Sequence, residues 1–166
     1  MLKTYMKDYK SNFKDYTKIC LKYWSIGLAI MFISNLIINV IIFHGKIATN
    51  EALVREQLFE HPYINFISIA FIAPIVEELI FRIEFKKLFG NHDKIFIIFS
   101  GLFFGFMHTA SGLSLAELIY IIPYGALGIA FASGYVKTKN ICAPIIMHII
   151  HNTITFLLLL SASSAL

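Results

Sequence analysis

Charge is the scarcest ingredient of this sequence. Only 14% of its 166 residues are Asp, Glu, Lys or Arg, against 58% that are hydrophobic. A soluble domain carries about 25% charged and about 45–50% apolar residues. Cysteine is nearly absent too. Cys20 and Cys142 lie far apart without CxxC spacing, which excludes a disulfide framework or a thiol site and leaves them as small packing residues. The 4 prolines and 9 glycines gather nowhere into a linker, and no internal repeat or low-complexity tract breaks the chain. One compact domain is expected.

In place of charge the sequence has long apolar runs, the mark of lipid-facing helices rather than of a rich soluble core. Five runs, at residues 24–43, 63–85, 95–109, 115–136 and 141–160, fall near the length needed to cross about 30 Å of hydrocarbon. The expected fold is all-α: a polytopic transmembrane helix bundle of about five spans, with residues 1–23 a basic segment and 24–166 a single membrane domain. The first apolar run is longer than the roughly 7–15 residues of a signal-peptide core and lacks a small-x-small exit. It reads as a retained span.

The formal net charge of +4 comes largely from the N-terminus, where Lys3, Lys7, Lys10, Lys14, Lys18 and Lys22 face only Asp8 and Asp15. Directly before a membrane span, such a run fits anionic lipid headgroups and topology control; no nucleic-acid partner is expected. Residues 44–62 offer only Lys46 and Arg55 against Glu51, Glu56 and Glu60. The next connection holds Arg82, Lys86, Lys87 and Lys94, the 111–114 turn holds no basic residue, and the last connection holds Lys137 and Lys139. Positive charge thus alternates in register with five crossings, placing the N-terminus in the cytoplasm and the C-terminus outside.

Ionisable groups at bilayer depth cost roughly 2.5–3.5 kcal/mol each on insertion scales, so they serve a function or pair with one another. Glu77 and Glu78 fall in the second run, His108 at the end of the third, and His148, His151 and Asn152 in the fifth. Glu78 and Arg82 are four apart and can pair along one helix. Glu77 points about 100° away from Glu78 and has no local partner, which leaves it free to act as a general base. Pro74, one turn earlier, can loosen the helix. The structural alternative is that both acids pair with Arg82 for packing.

Phe104 and His108 share a helical face, and Gly105 permits close approach of a neighbouring helix. His148 and Asn152 also share a face and could both donate to one bound oxygen, although His and Asn also bridge spans without chemistry. His151 either lies beside His148 or turns away. Counted inward from Lys86, Lys87, Lys94 and Lys139, Glu77 and His148 lie at the same depth, about 14 Å, and His108 at about 21 Å. Closing that gap requires the third helix to tilt or to start later. His44, His61 and His92 fall in loops, Glu117 lies near the outer end of the fourth run, and Asn35 and Asn39 are expected to glue helices.

Glu77-Glu78-x-x-x-Arg82, Phe104-x-x-x-His108 and His148-x-x-x-Asn152, in this order, resemble the three motifs of the CAAX protease and bacteriocin-processing (CPBP, or Abi) membrane proteins, a family that includes type II CAAX prenyl endopeptidases. Gly101-Leu102-Phe103-Phe104-Gly105 before His108 and Ala143-Pro144-Ile145-Ile146-Met147 before His148 are similar in texture as well. The resemblance covers residues 74–155 within a core at about 63–160. It implies an intramembrane endopeptidase of the bacterial plasma membrane acting on a membrane-associated peptide or protein, without a cofactor. Glu77 would activate water, His108 would assist, and His148 and Asn152 would stabilise the oxyanion. Glu78 and Arg82 would organise the site and Phe104 would pack beside it.

The resemblance extends to bacteriocin maturation, self-immunity and peptide signalling. Richness in Lys, Ile, Asn and Phe is that of an AT-rich bacterial genome, which points to a bacterial peptide rather than a prenylated protein. Two alternatives remain. Glu77, His108 and His148 could be zinc ligands, although no HExxH is present and Asn152 suits an oxyanion site better. A non-catalytic immunity or scaffold protein could bind a peptide without cutting it. A small transporter is less suited, because no repeat symmetry is present.

Overall fold

The structure is a computed structural model that describes residues 2–45, 47–110 and 114–163. Lys46 and residues 111–113 of the polar turn lie outside the described residues, as does the side chain of Glu60. All regular structure among the described residues is helical. In chain order the helices are α1 (Leu2–Ser11), α2 (Phe13–Ile42), α3 (Thr49–Glu60), α4 (Pro62–Lys87), α5 (Asp93–Thr109), α6 (Leu115–Thr138) and α7 (Cys142–Ser163). Four of them, α2, α4, α6 and α7, are long and apolar enough to cross a membrane. Helix α5, the third expected span, has 17 residues, about 26 Å at helical rise. The chain is a polytopic helical membrane protein.

Helix α6 is the centre of the bundle because its sequence is small where neighbours must come close. Gly125, Ala126, Gly128, Ala130 and Ala132 are all buried. A Cβ on Gly105 of α5 would sit 2.7 Å from Gly125 N and Ile121 O, and one on Gly27 of α2 would sit 2.7 Å from the Ala130 Cβ. Helices α5 and α2 therefore meet α6 backbone to backbone, the packing that small residues permit within membranes. Outward-facing side chains are large and apolar, as with Phe32, Leu36 and Ile41 on α2; here they are the lipid contact rather than a liability.

The N-terminal basic segment is itself helical. Its α1 is docked by Asn140, fully buried in the α6–α7 turn. Asn140 Nδ2 donates to Tyr5 O at 2.8 Å and to Asp8 Oδ2 at 2.7 Å, and its Oδ1 accepts from Cys142 N at 2.9 Å. One amide thus starts α7 and holds α1 against it. Asn39 is the helix glue expected of it, accepting from the Tyr120 hydroxyl at 2.6 Å.

Candidate active site

Helix α4 carries the acidic pair, and it is not a regular helix. It is wound as π-helix over Ser68–Ile72 and again over Leu79–Glu84, on either side of Pro74, Glu77 and Glu78. In the first π segment Ala73 N bonds Ser68 O. The next such bond would run from Pro74 to Ile69 O, but proline has no N–H. Asn152 Nδ2 reaches across from α7 and donates to that carbonyl at 2.9 Å. A freed backbone acceptor at membrane depth is costly, and this contact satisfies it.

Glu78 and Arg82 form the ion pair that their spacing suggested. Both are fully buried, with Arg82 Nε 2.6 Å from Glu78 Oε2 and Nη2 3.3 Å from Oε1. Arg82 Nη1 also donates to the Ser100 hydroxyl of α5, which donates in turn to Phe81 O at 3.1 Å. Glu77 does not join this network, so the alternative in which both acids serve Arg82 does not describe the structure. Its Oε2 is buried and has no hydrogen-bond partner among the described residues, while its side chain is 29% exposed.

His148 stands between the two acids. Its Nδ1 lies 3.1 Å from Glu78 Oε1, and its Nε2 faces Glu77 Oε2 at 3.8 Å. The ring is 2% exposed. Phe131 of α6 stacks on it at 4.6 Å, and Phe104 meets it edge-on at 5.5 Å. Phe104 is the aromatic hub, since it also contacts His108 at 4.3 Å and lies 5.8 Å from the Arg82 guanidinium.

His108 is therefore one ring removed from His148. No hydrogen bond joins it to Glu77 among the described residues. Its Nδ1 is 2.9 Å from Phe104 O. A carbonyl only accepts, so Nδ1 carries the proton and Nε2 of the neutral ring is an acceptor. Tyr124 of α6 stacks on its other face at 5.1 Å. His148 and Asn152 lie four residues apart on one face of α7. One amide hydrogen of Asn152 is committed to Ile69 O.

His151 turns away to Trp24 of α2, whose Nε1 donates to its Nδ1 at 3.4 Å. Sequence reasoning missed Ser100, Tyr124, Phe131 and Trp24. Ser100 had a signal, a lone hydroxyl in the middle of an apolar run, whereas nothing local marked the aromatic residues. Among the described residues no three His, Cys, Asp or Glu side chains form a group able to hold a metal ion.

Comparison with known proteins places the sequence that carries this site in a family. The sequence model of the type II CAAX prenyl endopeptidase Rce1-like proteins matches residues 59–154. The chain belongs to that family. The matched stretch contains Glu77, Glu78, Arg82, Phe104, His108, His148 and Asn152, and it excludes α1 and α2. Among curated relatives, the membrane-embedded CAAX protease MroQ of Staphylococcus aureus (strain USA300) is 30% identical over 84% of this chain and 58% of its own length. YdiL of Bacillus subtilis (strain 168), whose name marks it as a membrane peptidase, is 32% identical over 66% of this chain and 42% of its own. A UPF0177 protein of Lactococcus lactis subsp. cremoris, named for the abiGi 5' region, is 33% identical over 65% of this chain and 43% of its own. The chain thus spans about half the length of these relatives. No solved structure matches this Rce1-like chain.

Proposed function

We propose that the chain is an intramembrane endopeptidase that hydrolyses a peptide bond in a membrane-associated peptide or protein by glutamate-activated water. The observation that carries the reading is Glu77 Oε2: buried, without a hydrogen-bond partner among the described residues, and facing His148 Nε2 at 3.8 Å. Glu77 takes the proton of the attacking water and returns it to the leaving amine. The Nε2 acceptor of His108 assists in orienting that water. Glu78 Oε1 accepts a hydrogen bond from His148 Nδ1 and so holds the ring with Nε2 toward the reacting atoms, where an N–H would donate to the oxyanion. Asn152 supplies its second amide hydrogen. Arg82 and Ser100 keep Glu78 in place, and Phe104 separates the two histidines.

The protease name of MroQ supports this reading, and a setting in bacteriocin processing or self-immunity rests on the motif resemblance alone. The alternation of lysines supports a bacterial plasma membrane topology with the N-terminus in the cytoplasm and the site in the cytoplasmic half. The mechanism is proposed without a metal, and chelation of the purified protein tests that choice.

A second reading rests on Asn152, whose bond to Ile69 O is structural: a scaffold or immunity protein that binds a peptide without cutting it. The membrane and secreted peptidomes of a deletion strain complemented with wild type or Glu77→Gln separate the two. A peptide processed only by wild type is expected. Identical peptidomes, with protection from a bacteriocin intact in the variant, would instead support the scaffold.

A further inference from the structure

Trp24 is the one tryptophan of the chain, and its indole N–H points at a histidine. The bond from Nε1 to His151 Nδ1 is 3.4 Å long, and the two rings meet edge-on with centroids 6.4 Å apart. An indole N–H only donates, so Nδ1 accepts and the neutral His151 ring carries its proton on Nε2. His151 is 9% exposed and takes no part in the Glu78, Arg82 and Ser100 network. It lies three residues after His148 on α7, and Phe131 touches both rings. Phe131 stacks on His148 at 4.6 Å and meets His151 edge-on at 6.4 Å.

The partner of His151 is set by the register of α2 on α6. Gly27 lies three residues beyond Trp24, and a Cβ there would sit 2.7 Å from the Ala130 Cβ and 3.0 Å from Ala126 O. Such backbone contact admits no sliding by a residue, so Gly27 fixes where Trp24 stands. Phe131 is one residue beyond Ala130 on the same helix. One short stretch of α6 therefore seats α2 on one side and the His148 ring on the other.

Resting on the reading of Glu77 and His148 as reacting groups, we propose that Trp24 and His151 are positioning residues: they clamp α7 to α2 across Phe131 and so hold the His148 ring between Glu77 and Glu78. The first span, outside the stretch that matches the family, is then part of the working site and not an anchor alone. Trp24 acts only by fixing His151, and His151 by fixing the turn of α7 that bears His148.

The test uses the full chain in reconstituted bilayers and a fluorogenic version of a peptide that is processed in the wild-type strain and not in the deletion strain. Trp24→Phe keeps an aromatic ring and removes the donor; His151→Phe removes the acceptor; His151→Gln keeps one. Each of the first two is expected to lower kcat about threefold to tenfold, the range of one net hydrogen bond, with KM unchanged. Their combination is expected to cost no more than the worse single change, and His151→Gln to retain most of the rate. Wild-type kcat in Trp24→Phe, or additive losses in the double variant, would overturn the clamp.

Emission from the sole tryptophan tests the contact without activity. It is expected to change in His151→Phe and to stay unchanged in Glu77→Gln. A spectrum unaffected by His151→Phe would also overturn the proposal. Full activity in Glu77→Gln beside slowed Trp24→Phe would sink the general-base role and leave the clamp standing.

Discussion

Glu77 Oε2 and His148 Nε2 face each other at 3.8 Å. That is beyond the 2.7–3.2 Å or so of an N–H···O hydrogen bond, yet one oxygen set beside both atoms could bond to each. On its other side His148 is held by Glu78 at 3.1 Å, and Glu78 by Arg82 at 2.6 Å. The two neighbouring acids thus have different tasks. Glu78 is saturated by a cation, a ring nitrogen and the packing around them, whereas Glu77 keeps an unclaimed oxygen.

The Glu78–Arg82 pair is fully buried, so removing one partner strands the other charge. Arg82→Met and Glu78→Gln are each expected to cost about 3–5 kcal/mol of stability. Glu77→Gln, which breaks no hydrogen bond made by Oε2, should stay within about 1 kcal/mol of wild type. Cys20 and Cys142 are both buried free thiols, so labelling by a thiol-reactive dye during heating reports the unfolding midpoint of each variant. Equal midpoints for Glu77→Gln and Glu78→Gln would contradict the division of tasks.

Gly101 and Gly128 set the distance between α5 and α6. A Cβ on Gly101 would lie 2.7 Å from Ile129 N, and one on Gly128 would lie 2.8 Å from Gly101 O and 2.9 Å from the Phe104 Cβ. Alanine at either position must push the helices apart, at about 1–3 kcal/mol by the usual cost of overpacking. Ser100 and Phe104 move with α5, so activity should fall further than stability. An active, equally stable Gly101→Ala would mean that the helices have slack there.

Glu117 caps a helix that follows it nowhere in sequence. It accepts from Thr49 N at 3.2 Å and from the Thr49 hydroxyl, which satisfies the first turn of α3 and places a carboxylate at its positive end. Asn50, the next residue, lies 3.5 Å from the hydroxyl of Tyr124, the residue stacked on His108. Glu117→Ala is expected to cost about 0.5–2 kcal/mol locally and to speed amide exchange at the start of α3. Unchanged exchange there would show that the cap is dispensable.

The fold was legible wherever apolar runs carried it, and the expected second and fourth spans fall within α4 and α6. It was less legible where charge interrupts helix: α2 begins at Phe13, through Lys14, Lys18 and Lys22, because lysines snorkel without ending a helix. Helix α3 went unforeseen, since its sequence has no clear apolar stripe. In the site, contacts between i and i+4 could be read directly, as Glu78 and Arg82 show. Contacts set by tertiary packing could not. Spacing put Asn152 on the face of His148, but nothing near it in sequence showed that its amide also reaches the Ile69 carbonyl, which Pro74, about 80 residues away, leaves without an N–H partner.

Chelation separates the glutamate mechanism from the zinc reading. Since Glu77, His108 and His148 do not form a ligand set, phenanthroline and EDTA are expected to leave cleavage unchanged in the purified protein. Activity lost to chelator and restored by stoichiometric zinc would require those three side chains to rearrange.

The central claim is that the unclaimed oxygen of Glu77 activates water. The direct measurement is the cleavage rate of purified, reconstituted Glu77→Gln beside wild type, with the thiol-dye midpoint of the same samples. A loss of at least about 100-fold, as removal of a general base gives, at an unchanged midpoint is the predicted result. Wild-type cleavage by a folded Glu77→Gln would contradict it.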